Sequence, residues 1–233
     1  MPQELERGGR EPAAVREMFN RVARRYDLAN HLLSGGIDIL WRRGAARMVA
    51  DWQPRRVLDV ATGSGDLALA IQRRLPDAEV VATDFSEAML AHASAKGVRN
   101  TVLADALALP FGRESFDTVT VAFGLRNMAD WGAALREMSR VLNIGGRILV
   151  LDFSLPTGFH RDVYRFYLHR LLPIAAGWIT GQRAAYHYLS RSIEAFPSGQ
   201  PMLQLIGESG CVDASAHPLS GGIATIYTAR RGT

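Results

Sequence analysis

The chain has 233 residues, 48% hydrophobic and 21% charged, with 22 Gly, 10 Pro and one Cys, a composition that fits one compact domain with a small elaboration and excludes disordered, collagen-like and disulfide-scaffold chains. The formal charge of +4 comes from 27 basic and 23 acidic residues, and Lys96 is the only lysine, so the clustered lysines of a nucleic-acid binder are absent and no nucleic-acid partner is expected. Cys211 alone forms neither an internal disulfide nor a cysteine-based zinc cluster, no uncharged stretch approaches the roughly 20 residues that span a bilayer, and Arg and Glu interrupt residues 1–30 too often for a secretory leader; a cytoplasmic location is expected.

Residues 1–50 carry a helical pattern of their own, with Val15, Met18, Phe19 and Val22 on one face and arginines on the other, and are expected to cap a main domain of residues 51–233. From about residue 55, short β-rich runs alternate with helical patterns, as in a parallel sheet covered on both faces. Residues 57–61 read as a buried strand, 66–75 as a helix stopped before Pro76, 79–83 as a second strand, 86–96 as a helix stopped by Gly97, and 101–104 as a short third strand. A fourth strand is expected at 117–123, an amphipathic helix at 131–143 ended by Gly145 and Gly146, and a fifth strand at 147–153. Residues 159–192, rich in Tyr, Phe, Leu and Arg, break the rhythm and read as a helical insertion, bounded at about 157–198; 211–217 and 224–229 read as two closing strands.

The run VLDVATGSGD at 57–66 places a strand ending in Asp59 before a turn made of Gly63, Ser64 and Gly65. In an open α/β sheet, ligands sit outside the carboxyl ends of the strands, and glycines there let the backbone approach a ligand closely. The spacing of Gly63, Gly65 and Ala68 also satisfies the nicotinamide dinucleotide pattern, so two cofactor classes compete. Charge separates them. Asp59 and Asp66 flank the glycines, and two carboxylates would repel a pyrophosphate but hold the ammonium of S-adenosyl-L-methionine. Asp84, at the end of the second strand, suits the ribose hydroxyls of either cofactor; Asp105, after the third, suits an adenine amino group, with Ala106 offering a backbone N–H and Met89 an apolar face. Each has a plainer alternative: Asp66 as a favourable first-turn charge, Asp84 as a helix cap in competition with Ser86, Met89 as ordinary core. An NAD(P)-dependent oxidoreductase and a cofactor-binding module without catalysis therefore stay open beside a methyltransferase.

Six stretches carry a family resemblance: MFNRVARRYDLANHLLSGGIDILW (18–41), VLDVATGSGD (57–66), DALALPF (105–111), FGLRN (123–127), RVLNIGGRILVLDFS (140–154) and YLSRSIEAFP (188–197). On these the chain resembles the class I methyltransferases, and among them the quinone-biosynthetic C-methyltransferases that act on demethylmenaquinol and its ubiquinone-pathway counterpart. The resemblance implies a Rossmann-like α/β fold with a seven-stranded, mostly parallel sheet, helices on both faces and an antiparallel last strand. It implies S-adenosyl-L-methionine as cofactor, with Ser64, Asp84, Asp105 and Ala106 among its contacts. The chain departs from the family pattern at Asp38, where His is usual, at Asp152 for Glu, near Ile144 for Pro, and at Ala122 for Ser or Asn.

The acceptor implied is a prenylated quinol. The residues agree, since no nucleophile–base grouping and no metal-ligand spacing is evident among the six His residues, and methyl transfer needs mainly alignment. A reduced ring attacks best as its phenolate, which a neighbouring cation favours. Arg126 is expected to supply that cation, Asn127 to orient the quinol oxygen, and Tyr26 with Asp27 to close over the site and relay the proton; His187 and Tyr188 are weaker candidates. Phe159, Tyr164, Phe166, Tyr167, Leu168, Leu171, Leu172 and Trp178 offer apolar surface to an isoprenoid tail, and Arg161, Arg165 and Arg170 could meet lipid phosphates, so peripheral contact at the inner face of the cell membrane is expected, with an ordinary packed lid as the alternative. A second copy of the chain is a further candidate partner.

Overall fold

The computed structural model describes residues 36–156, 164 and 192–233. Helix α1 (Asp38–Asp51) leads into β1 (Arg56–Val60), followed by α2 (Asp66–Arg74), β2 (Glu79–Asp84), α3 (Glu87–Ala95), β3 (Asn100–Leu103) and β4 (Phe116–Ala122). Among the described residues, a 3₁₀ turn (Leu125–Asn127), α4 (Trp131–Val141), β5 (Leu142–Phe153), α5 (Gln200–Glu208), β6 (Cys211–Leu219), a second 3₁₀ turn (Ser220–Gly222) and β7 (Ala224–Arg231) follow. The seven strands form one sheet in the order β3-β2-β1-β4-β5-β7-β6. Strands β1 to β5 pair in parallel, and β7 runs antiparallel to both β5 and β6. The chain winds outward from β1 to β3, then returns to place β4 on the other side of β1. The strand order therefore switches between β1 and β4, and the crevice at their carboxyl ends is where such a sheet takes a ligand.

Two apolar layers hold the sheet. On one face Trp41, Ala45 and Val49 of α1 and Leu67 and Ile71 of α2 pack on the strands; on the other, Leu135 and Met138 of α4 meet Met202, Leu205 and Ile206 of α5. The central strand β1, Val57–Val60 excepting Asp59, is apolar on both faces, as burial under two layers requires.

The expected strand and helix order is observed, with two differences. The helix expected at 131–143 stops at Val141, because Leu142 already pairs with Phe116; Gly145 and Gly146 lie inside β5, at a register shift, rather than beyond a helix end. Helix α5 had no counterpart in the sequence reading. Its Pro201 stands in the first turn, where the N–H has no helical partner to lose, so it is compatible with a helix start. Ser86, not Asp84, caps α3, accepting the Met89 N–H at 3.3 Å. Of the candidate cap (1–50) only residues 36–50 are described, and of the insertion (157–198) only Tyr164 and residues 192–198.

Candidate active site

A cavity opens at the carboxyl ends of β1, β2 and β4. Its wall includes Thr62, Gly63 and Ser64 after β1, Asp84 at the end of β2, Met89 on α3, Asp105 and Ala106 after β3, and Phe123, Gly124 and Asn127 after β4. Eight residues singled out from sequence are thus brought to one place or beside it. Gly65 is the left-handed N-cap of α2 directly behind the turn, with φ 81°. The loops after β1 and β4 abut: a Cβ on Gly124 would lie 2.7 Å from the Ala61 Cβ, so only glycine lets them meet.

Asp84 organises the turn. Its Oδ2 accepts the Gly63 N–H at 2.8 Å and its Oδ1 accepts the Ser86 N–H at 3.0 Å. Burial raises its carboxyl above the ordinary range, and the N–H groups of Gly63, Ser86 and Phe85 pull it back. One N–H of the glycine turn is thereby spent on a side-chain carboxylate, whereas a diphosphate seated at that turn would need it. Asp105 is exposed; its Oδ1 accepts the Leu107 N–H at 2.9 Å, which holds the loop carrying Ala106.

Two expected acids stand elsewhere than at the cavity wall. Asp59 is 1% exposed beneath the turn, where its two oxygens accept the Thr62 and Thr120 hydroxyls at 2.6 Å each. Its strand turns it inward, so it braces Thr62 and ties β1 to β4 instead of facing a ligand. Asp66 is paired with Lys96 at 2.6 Å. Burial opposes its charge, yet Lys96, Arg42 and Ser64 together hold it below its ordinary range. The negative field at the elbow is therefore weaker than the bare sequence suggests, and its main carriers on the wall are Asp84 and Asp105.

Burial raises the Asp59 carboxyl from 3.8 to about 6, against the pull of Thr120, Thr62 and Arg42. A carboxyl with a raised folded pKa stabilises the fold below its unfolded pKa, and that contribution is lost as pH rises through the folded value. Between about pH 4 and pH 6 this amounts to ~3 kcal/mol. Asp59→Asn is expected to flatten the fall in melting temperature across that window, measured by thermal denaturation of both proteins; identical slopes would show that Asp59 titrates normally.

Arg126 also takes a different place from that expected. Its side chain has no exposed surface; Nη1 donates to Asp152 Oδ1 at 2.6 Å and to the Phe123 carbonyl at 2.7 Å, and Cζ lies 5.2 Å from the Phe153 ring centroid. Asp152, fully buried at the end of β5, captures the guanidinium and draws it under the loop, away from the cavity wall. The same Phe123 carbonyl accepts from Asn127 Nδ2 at 3.3 Å, and Phe123 itself sits at φ 59°. Arg126 and Asn127 together thus pin a left-handed residue on the cavity wall. Tyr26, Asp27, His187 and Tyr188 lie outside the described residues.

Sequence reading missed Arg42. It lines the cavity beside the glycine turn, 8% exposed, with its Nε 3.5 Å from Asp38 Oδ2 and its Cζ 4.8 Å from the Phe123 ring centroid. The signal was there: Asp38, Arg42, Ala46 and Val49 share the buried stripe of α1, and a charged pair four residues apart inside an apolar stripe is unusual. Among the described residues, no group of His, Cys, Asp and Glu could hold a metal ion, and no helix is long and apolar enough to cross a membrane.

Residues 7–231 match the profile of the ubiE/COQ5 methyltransferase family. The chain belongs to this family. It is 46% identical to a demethylmenaquinone methyltransferase of Thermus thermophilus over 220 residues, 92% of this chain and 100% of that one. It is 42% identical over 227 residues to a ubiquinone/menaquinone biosynthesis C-methyltransferase of Geobacter sulfurreducens, covering 94% and 88% of the two chains. The fold is that of a solved methyltransferase of Thermotoga maritima, described as a possible histamine N-methyltransferase, with TM-score 0.66 at 17% identity over 93% of this chain and 99% of that one. As a ubiE/COQ5 methyltransferase the chain uses S-adenosyl-L-methionine. The donor set fits that group: carboxylates at the ends of β2 and β3, an apolar face at Met89, a glycine turn, and one cation at Arg42. The family membership removes the dinucleotide alternative that spacing alone had left open.

Proposed function

We propose that the chain methylates a ring carbon of demethylmenaquinol to give menaquinol. The observation that carries this reading is the 46% identity, over 92% of this chain, with the Thermus demethylmenaquinone methyltransferase, in a chain whose cavity gathers expected cofactor residues. A polyprenyl benzoquinol of the ubiquinone pathway is the second reading, favoured by the Geobacter relative, whose name covers both quinones.

S-Adenosyl-L-methionine, when bound, supplies an electrophilic methyl group. Asp84, Asp105, Ala106 and Met89 hold its adenosine end, Gly63, Ser64 and Gly65 form the elbow, and Asp59 braces that elbow from below through Thr62. Asn127, on the wall beside Phe123, orients the acceptor oxygen so that the ring carbon lies in line for attack. Arg126 acts on this step from a distance, by fixing the Phe123 carbonyl that Asn127 shares. A carbon–carbon bond forms at the ring as the methyl–sulfur bond of the donor breaks, its electron pair staying on sulfur and leaving S-adenosylhomocysteine, and the ring then loses its proton; Tyr26, from the N-terminal cap of residues 1–50, is the candidate to take it. The insertion at 157–198 is the candidate for the isoprenoid tail, and a substrate with such a tail places the reaction at the inner face of the cell membrane, with the chain in peripheral contact.

Cells lacking this chain are expected to accumulate demethylated naphthoquinone in place of menaquinone, read by quinone profiling. The purified chain is expected to methylate the reduced acceptor and leave the oxidised quinone untouched, because an oxidised ring is itself an electrophile. Accumulation of a benzoquinone precursor alone would move the assignment to the second reading; an unaltered quinone profile would exclude both.

A further inference from the structure

We infer that Arg42 binds the carboxylate of the cofactor's amino-acid end, and so sets the affinity for the methyl donor through a residue of α1 outside the glycine turn. This rests on the reading that the cavity takes S-adenosyl-L-methionine. Among the described residues of the cavity wall, Arg42 is the only cationic one. The donor carries one carboxylate, and the acids already on the wall repel it.

Arg42 is also placed and prepared for that task. Its Cζ lies against Phe123, after β4, whereas Asp105 and Ala106 follow β3, on the far side of β1 and β2 in the sheet order, so an adenosine held at β2 and β3 would extend its amino-acid end toward it. Its charge reaches Asp59 and Asp66 across the turn. Neither takes it as a partner, since Asp59 is held by Thr62 and Thr120 and Asp66 by Lys96 and Ser64. Its Nε, buried, has no hydrogen-bond partner among the described residues, and Asp38 approaches only to 3.5 Å. A guanidinium this deeply buried is costly unless its donors are met, and a carboxylate offers two oxygens to its planar fork. Stacking on Phe123 covers one face of the group and leaves its edge as the place for those bonds.

The same cation could instead face the acceptor's oxygen, and ligand truncation separates the two. Adenosylhomocysteine keeps the carboxylate; methylthioadenosine has the same adenosine and sulfur but no amino-acid end. Calorimetric titration of the full chain with both ligands is expected to show adenosylhomocysteine weakened about 10- to 100-fold by Arg42→Met, with methylthioadenosine changed by less than about threefold. Retained methylthioadenosine binding also reports that the variant is folded. Arg42→Lys, which keeps a cation but not the planar guanidinium that lies over Phe123, is expected to recover part of the loss. Equal weakening of both ligands, or unchanged adenosylhomocysteine affinity with reduced turnover, would overturn the inference. Absence of adenosylhomocysteine binding by the parent protein would overturn the cofactor reading beneath it instead.

Discussion

Arg126→Ala is expected to destabilise the fold by about 3–5 kcal/mol, because it leaves the Asp152 carboxylate buried without its counter-charge. For a chain of this size that is a fall of roughly 6–20 °C in melting temperature. Burial already pushes the Asp152 carboxyl up while Arg126 pulls it down, so the variant's carboxyl rises further and takes up a proton in the fold. A raised folded pKa means that stability is lost as pH increases, and the deficit against the parent protein is therefore expected to be larger at alkaline than at mildly acidic pH. Arg126→Met combined with Asp152→Leu removes both charges and is expected to regain much of the stability, since a well-packed apolar pair often replaces a buried ion pair without loss. It does not restore the Arg126 donor to the carbonyl of Phe123, a residue of the cavity wall, which leaves Asn127 as its side-chain donor, so adenosylhomocysteine affinity is expected to lie below the parent protein's in the stable double variant as in Arg126→Ala. Thermal denaturation across pH and calorimetry measure these. A folded, fully stable Arg126→Ala that loses only turnover, with a displaced pH profile, would return Arg126 to direct contact with the acceptor.

Local chemistry was legible wherever it depended on neighbours in sequence. The strand before Gly63, the helix after it and the acid closing β2 follow from apolar runs, glycine placement and helix stops, and each is found within a residue or two of its expected bounds. What was not legible depended on which way a side chain turns and what meets it from afar. Asp84 ends β2 and Asp59 stands one residue before the end of β1, yet Asp59 meets Thr120 of β4 from below while Asp84 reaches forward to the turn. Arg126 looked like a cavity cation because FGLRN follows β4; its burial is decided by Asp152, 26 residues on, near the end of the neighbouring strand β5. Arg42 was hidden for the converse reason. Its helix lies before the first strand, and only packing of α1 on α2 brings it to the turn. Gly145 and Gly146 misled as a helix stop because backbone pairing of Leu142 with Phe116 overrides the helical pattern of the preceding residues.

Gly65→Ala is expected to cost about 2–5 kcal/mol, from two sources that can be separated. At φ 81° an alanine is disfavoured by about 1–2 kcal/mol. The added Cβ would also lie 2.5 Å from Val98 Cγ2 and 3.0 Å from the Ala93 Cβ, in a packed layer where overpacking typically costs about 1–3 kcal/mol. Gly63 supplies the control, with φ 57° but no atom within 4 Å of a built Cβ. Gly63→Ala is therefore expected to show the dihedral cost alone. Val98→Ala in the Gly65→Ala background is expected to return part of the steric cost, giving a coupling that a double-mutant cycle reads directly. Because Gly65 closes the turn through its N–H to the Thr62 carbonyl at 3.0 Å and its carbonyl to Leu69 N–H at 2.8 Å, a shifted Gly65 moves the elbow toward the cavity. Gly63→Ala is expected to lower adenosylhomocysteine affinity as well, since its Cβ enters the open space of the cavity, so stability and not affinity distinguishes the two positions. Equal losses of stability at the two positions would show that the left-handed backbone, and not the close approach of α2 to Val98, is why this turn carries glycine at Gly65.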